Sequence, residues 1–384
     1  MTLQQGKAPA FRLTTQATLL RVLCAFVLCG ILVAGLWPFH APQNEVSWLS
    51  NGNGLFFGDY GSIVSAEGFI PSGSLAAAPC SIEIWLQPAL ADYSGTILAF
   101  YRPESRVVPL ALRQSLGDLM LRRTSQDPLH HAKKAKIYID DLFSHAKPVF
   151  VTISSSPAGA AVYADDALVK KSPTFRLSSR DFTGQLIVGN APSTTDNWSG
   201  QVKGLALYDR ELTAAEVSQH YANWTKNMQT ELTKSEGAVA LYLFNEGKGS
   251  VVHNQIDSAT DLVIPERFFV LRKQFLEPPW NEFYPGWSYW RNISINIAGF
   301  MPLGFFFSAY FSAIRKTKWA NWLTIALGFT VSLTIEVLQA VLPTRDSGMT
   351  DLITNTLGTA FGAMIYANTA VQVVLGRLRY TPGS

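Results

Sequence analysis

Residues Trp319 to Leu342 read WANWLTIALGFTVSLTIEVLQAVL. The run is long enough to cross the hydrocarbon core of a bilayer, which takes roughly 20 apolar residues at about 1.5 Å each. Within it sits one ionisable side chain, Glu336. A charge at mid-span costs about 2.5–3.5 kcal/mol on insertion scales, so a carboxylate there marks a functional candidate. Ser332 lies four positions before it and Gln339 three after. At helical spacing the three share one face.

Three more apolar runs have spanning length. Leu19 to Trp37 reads LLRVLCAFVLCGILVAGLW, Ile293 to Ile314 follows Asn292, and Leu352 to Leu375 follows Asp351. For the first run a cleaved signal peptide is the competing reading. Its apolar core would be about 7–15 residues with an A-x-A-like site after it, and no such site is evident. Basic residues cluster at Lys7, Arg12 and Arg21, at Arg315-Lys316-Thr317-Lys318, and at Arg377 and Arg379. Cytoplasmic loops carry the excess of Lys and Arg. A four-span topology with both ends inside satisfies all three clusters. The expected layout is a cytoplasmic N-terminus (1–18), a first helix (19–37), an extracytoplasmic domain (55–265), a membrane domain of three helices (292–375) and a cytoplasmic tail (376–384). This places the chain in the inner (cytoplasmic) membrane.

Composition agrees with a mixture. The 384 residues are 48% hydrophobic and 15% charged, with mean hydropathy +0.12, against roughly 25% charged in average soluble domains. So little charge excludes a disordered chain. A net charge of +3 is too mild for a dedicated nucleic-acid binder, and no nucleic-acid partner is expected. The 3 Cys exclude a disulfide scaffold and give no zinc spacing; no metal site is expected. Cys24 and Cys29 fall in the first span, which leaves Cys80 as a buried free thiol.

The middle of the chain changes character. SIEIWLQPA from Ser81, GTILAFYRP from Gly95, LALRQS from Leu110, DLMLRR from Asp118, PVFVTISSS from Pro148, GQLIVGNAP and GQVKGLALYDR read as strands. AAVYADDALVKK from Ala160 reads as two strands around an Asp165-Asp166 turn. Many short strands with turn signals between them predict an all-β sandwich or jelly roll. LTAAEVSQHYANW from Leu212 is the one helical segment, with Thr213 and Glu216 spaced as a capping box. His130-His131 reads as a solvated loop, and Trp85 in its alternating strand reads as core. Loops present function, so Asp196, Asn197 and Trp198 are the glycan-binding candidates, with a partly buried turn as the alternative.

The stretches SIEIWLQP, VTISSSPAGAAVYADDALVKK, GQLIVGNAP, WSGQVKGLALYDRELTAAEV and LYLFNEGKGSVVHNQIDSAT resemble the concanavalin A-like laminin-G family over most of Leu55 to Pro265. The resemblance implies a sandwich that binds glycans or proteins, in some members with calcium. FNEGKGSVVHN resembles a segment that often opens such modules but here follows the others, so an edge strand is rearranged or the strand order starts elsewhere.

Depth links the polar residues of the last three helices. Asn296 and Asn355 each lie about 6 Å in from their outer ends, and Glu336 about 9 Å, at 1.5 Å per residue. Arg345 and Asp346 lie in the loop directly above. A polar pocket opening outward is expected, with Glu336 at its floor. In the last helix Gly358 and Gly362 form a GxxxG pair for close packing; in the second, Pro302 is expected to kink the helix.

NIAGFMPLGF from Asn296, SLTIEVLQ from Ser332 and RDSGMTDLITNTLG from Arg345 resemble the VanZ-like family, named for a teicoplanin-resistance protein, over Asn292 to about Ala367. The first span, ending in LWPF, is similar to that family's opening helix. The implied protein is multidomain: a four-helix transmembrane bundle with the sandwich inserted after its first helix. WNEFYPGWSYW from Trp280 then re-enters the bilayer through interfacial Trp and Tyr. The binding set is Asn296, Ser332, Glu336, Gln339, Arg345, Asp346, Asp351 and Asn355. Partners would be a membrane lipid or lipid-linked glycan, and a surface polysaccharide or envelope protein. The family suggests glycopeptide antibiotic tolerance or exopolysaccharide handling as contexts. Two alternatives stand beside recognition: a hydrolase or transferase on lipid-linked substrates, using Glu336, Asp346 and Asp351 as acid and base, and a purely structural scaffold. No cofactor is expected beyond calcium in the sandwich.

Overall fold

The SIEIWLQP stretch forms strand β4 (Cys80–Pro88), and its alternation divides its side chains between two environments. Ile82, Ile84 and Leu86 enter a large apolar core; Trp85 packs against a second, smaller cluster. Both belong to a β-sandwich of two antiparallel sheets. The computed structural model describes residues 8–70, 78–127, 130–193, 195–226, 232, 237–283, 285–315 and 318–380. It divides into two units: Met1–His40 with Lys273–Ser384, and Ala41–Arg272. The basic residues Lys7, Lys316 and the end of the tail lie outside the described residues.

In the Ala41–Arg272 unit, one sheet runs β1 (Val46–Trp48), β2 (Leu55–Phe57), β13 (Gly200–Tyr208), β4, β9 (Val149–Ser156), β10 (Gly159–Ala164) and β11 (Ala167–Ser172), with β14 (Ala238–Tyr242) paired to β13. The other runs β15 (Val251–Val252), β16 (Leu262–Val263), β3 (Ile63–Ser65), β12 (Gln185–Val188), β5 (Ser94–Tyr101), β6 (Leu110–Ser115), β7 (Asp118–Asp127) and β8 (His130–Ile139). The FNEGKGSVVHN stretch thus supplies the edge strand β15, which with β16 extends the second sheet past β3. His130 and His131 open β8 rather than a loop. Asp165 and Asp166 form the β10–β11 turn, Asp165 with φ of 57°. Cys80 is a free thiol, and burial pushes it well above its usual range. The two ends of the unit meet: Phe268 donates to the Pro42 carbonyl at 3.1 Å and Asn44 to the Glu266 carbonyl at 3.1 Å.

Helix α2 (Ala214–Thr225) covers the outer face of the first sheet and starts with the expected capping box. Trp224 presses on Gly204, where any Cβ would run into the indole ring. Beneath the helix lies Glu83, fully buried. It accepts from the Tyr208 hydroxyl at 3.0 Å and the Trp224 indole N–H at 3.3 Å, and meets His220 Nδ1 at 2.9 Å. A buried carboxylate is tolerated only with its lone pairs satisfied, and here the helix and β13 supply the donors. Trp85 lies beside this cluster, half-exposed on the outer face, with Lys203 Nζ 5.5 Å from its ring centre. The expectation of a core position holds in part: β4 has two covered faces, and Trp85 packs, partly buried, on the smaller cluster under α2.

The other unit is helical: α1 (Ala8–Leu36), the short α3 (Pro279–Glu282), α4 (Trp287–Tyr310) running into a π turn at Phe311–Arg315, α5 (Ala320–Gln339), α6 (Met349–Ala367) and α7 (Thr369–Tyr380). Among the described residues three segments are long and apolar enough to cross a membrane: Ala17–Leu36, Trp287–Ala313 and Ala320–Gln339. Asp351, Asn355 and several threonines dilute the hydropathy of α6. The last apolar run is also divided, because Asn368 has extended backbone and its side chain accepts from Ala370 N–H at 2.9 Å, starting α7. Asn is a strong N-cap residue. Pro302 lies inside α4, which stays helical on both sides of it. Gly304, Gly358 and Gly362 bring α4 and α6 into backbone contact: a Cβ at Gly358 would strike the Ile297 carbonyl, and one at Gly362 the Met301 carbonyl.

Two outcomes follow from this packing. Glu83→Ala strands three donors under α2 and should cost on the order of 3 kcal/mol, read as faster amide exchange across Ala214–Thr225; unchanged protection would mean the network does not hold the helix. Gly358→Ala should cost about 1–3 kcal/mol by overpacking, seen as a lower melting temperature in detergent. Gly299→Ala, whose Cβ would meet nothing within 4 Å, should leave it unchanged.

Candidate functional site

A helix leaves its first backbone N–H groups without intrahelical acceptors, and α6 begins among the other helices. Its N-cap, Gly348, has no side chain to help. Glu336 of α5, 1% exposed, supplies the acceptor: its Oε2 receives Gly348 N–H at 2.9 Å. Glu282, at the end of α3, accepts from Thr350 N–H at 3.0 Å and from the Thr350 hydroxyl. Asp351, in the first turn of α6, accepts from Asn296 Nδ2 at 2.8 Å. Three carboxylates therefore gather where the helix dipole is positive, the end that favours negative charge.

The amides complete the arrangement. Asn355 Nδ2 donates to Ser332 Oγ at 3.0 Å, and Gln339 Nε2 to the Gly35 carbonyl at 2.7 Å. Both residues are buried, and among the described residues their carbonyl oxygens have no hydrogen-bond partner. The Arg345 guanidinium donates to the Trp37 carbonyl, through Nε at 2.9 Å. Lys273 donates to the Arg345 carbonyl and to Asp346 Oδ1, the latter at 3.1 Å.

Some of these groups border a cavity of ≈ 520 Å³. Its polar wall is Asn296, Glu336, Gln339, Arg345, Asp351 and Asn355, and its apolar wall is mainly Phe26, Val27, Ile31, Ala34, Ile295 and Phe300. Two of the expected residues stand outside the lining. Ser332 is fully buried behind Asn355. Asp346 turns away to Lys273, its side chain 69% exposed. Sequence reasoning missed Glu282 and the whole α1 wall. Glu282 sits in an aromatic stretch that reads as interface, and only the Gly30-x-x-x-Ala34 spacing hints at the groove on α1.

The glycan candidates in the sandwich fare differently. Trp198 is fully buried, tilted against Phe57, and donates its indole N–H to Gln114 at 2.8 Å. It has no free face on which a sugar could stack, so that assignment is corrected. Asp196 forms an ion pair with Arg113, and Asn197 donates to the Asp59 carbonyl. The loop is fastened to the sheet by its polar residues. A separate cavity of ≈ 490 Å³ lies between the 140–148 segment and the β10–β11 turn, with Asp140, Asp141, His145, Lys147 and Lys170 on its wall. Among the described residues no group of three His, Cys, Asp or Glu could hold a metal ion.

Residues 222–372 match the VanZ/LLP1 family, and residues 64–218 match the concanavalin A-like lectin/glucanases superfamily. The first match begins within α2, before the helical unit resumes at Lys273, and so takes in β14–β16 of the sandwich. No curated protein matches the chain. Similar solved structures include the receptor-binding domain of botulinum neurotoxin D, with 15% identity, TM-score 0.35, and coverage of 47% of this chain and 46% of that one. The binding domain of Paraclostridial Mosquitocidal Protein 1 has 12% identity, TM-score 0.33, and coverage of 48% and 47%. The chain spans about half the length of the solved structures it matches. The chain thus carries a VanZ-like region with helices able to cross a membrane and, after its first helix, an inserted concanavalin A-like domain.

Proposed function

We propose that this is a cell-envelope membrane protein whose helical unit holds the head of an amphiphile and whose sandwich recognises a surface glycan or protein outside the cytoplasm. The observation that carries the reading is the two-sided cavity, with carboxylates and unpaired amide oxygens on one wall and an apolar face of α1 on the other. Concave sites with few convergent polar groups on apolar walls are the usual form of ligand pockets. A chain lying along Phe26, Gly30 and Ala34 would follow one face of α1, since those positions repeat every four residues. The orientation rests on the basic clusters. The aromatic residues support membrane depth: Trp287 and Trp290 near the start of α4, and Trp319 and Trp322 near the start of α5, are all exposed, as interfacial anchors are.

For the sandwich, the concanavalin A-like match supports carbohydrate as the ligand class, and the groove beside Lys147 and Asp140 is the place proposed for it. Its mixed acidic and basic wall offers both donors and acceptors to sugar hydroxyls.

Two experiments test the halves separately. Gly30→Leu adds a side chain at the amphiphile cavity, where a Cβ meets nothing within 4 Å. The variant should keep its thermal stability and lose co-purifying amphiphile, measured by mass spectrometry of extracts. Equal amphiphile content in both proteins would remove the pocket reading. For the sandwich, spheroplasts displaying the chain should bind labelled envelope glycans, and Asp140→Ala with Lys147→Ala should lower binding about tenfold. Binding only after solubilisation would overturn the orientation, and none at all would overturn recognition.

A further inference from the structure

The lining of the helical cavity is one-sided in hydrogen-bond character. Glu336 and Asp351 present carboxylates. Asn355 and Gln339 use their amide N–H groups on Ser332 and Gly35. That leaves Asn355 Oδ1 and Gln339 Oε1 buried without partners among the described residues, in residues 6% and 8% exposed. Among the described residues no ion pair involves Glu336 or Asp351. Lys273 is engaged with Asp346, and Arg345 with the Trp37 carbonyl. Buried acceptors and charges left this way are satisfied by whatever brings donors to them.

An anionic head pressed against two carboxylates would be repelled. A neutral polyol would supply donors but no charge. An ammonium supplies both, with three N–H donors and no acceptor. Arg345 borders the same cavity, and a guanidinium suits an anionic group such as a phosphate ester. The lining therefore pairs an acceptor wall with a cation at its rim, which is the complement of a zwitterion.

We infer that the cavity takes the primary ammonium of a zwitterionic phospholipid headgroup, with the ammonium against Asn355, Gln339 and the two carboxylates and the phosphate toward Arg345. The inference rests on the amphiphile reading and gives it a chemical class. No bond is made or broken; the site is one of recognition.

The test uses the full chain in detergent, incubated with an equimolar mixture of phosphatidylethanolamine, phosphatidylcholine and phosphatidylglycerol with identical acyl chains. Bound lipid is identified by native mass spectrometry. Phosphatidylcholine keeps the charges but has no N–H, and phosphatidylglycerol has hydroxyl donors but no cation. Phosphatidylethanolamine should be retained about tenfold over each, and stepwise N-methylation should erase the preference. Glu336→Gln should reduce it as well; because that change could disturb α6, the N-methylation series decides on wild-type protein alone. Equal retention of the three lipids, or preference for phosphatidylglycerol, overturns the ammonium assignment and leaves the amphiphile reading standing. Retention of no lipid overturns both.

Discussion

The contact on which the helical unit turns is the one between Glu336 and the backbone N–H of Gly348. A helix start buried among other helices must have its free N–H groups satisfied, since a buried N–H without a partner is costly. Capping from within α6 is excluded by glycine at the N-cap. The carboxylate therefore comes from α5, which fixes the rotation of that helix about its axis. Once α5 is so rotated, Ser332 faces Asn355 and Gln339 faces Gly35 of α1. The cavity is what remains between these polar contacts and the apolar side of α1. A glycine at 348 also has a steric reason: a Cβ there would collide with the Glu282 carboxylate.

The sandwich follows a different logic. Strand β4 is covered on both faces, and its alternation separates an all-apolar interior from a second layer organised around Glu83. Burying one carboxylate under α2 makes the docking of that helix specific, because only one position brings Tyr208, His220 and Trp224 to the same two oxygens. Apolar packing of Val217 and Trp224 alone would not distinguish neighbouring registers so sharply.

Periodicity made the strands, α2 with its cap, and three spanning helices legible in the sequence, because each is a local pattern. The face shared by Ser332, Glu336 and Gln339 was legible for the same reason. Depth reckoning also placed Asn296 and Asn355 near Glu336. What pattern could not supply was partnership across the chain. Glu282 meets Thr350 at the start of α6, and the α1 wall borders the cavity, through tertiary contacts that leave no spacing signature. Trp198 shows the converse error: a Ser/Thr/Asn-rich stretch reads as an exposed loop, but Gln114 offers the indole N–H a buried partner, so the ring turns inward.

The meeting of the two ends of the Ala41–Arg272 unit has a kinetic consequence. Helix α1 packs on α4 and α5, although the whole sandwich lies between them in sequence. Closing a loop of that length in an unfolded chain costs entropy that grows with the logarithm of its length. With Phe268 bonded to Pro42 and Asn44 to Glu266, the folded sandwich shortens the effective tether between α1 and α4 to the residues 37–41 before it and 269–286 after it. The inserted domain is in this sense an intramolecular clasp: once it is folded, the search of α1 for its partner helices is local rather than long-range.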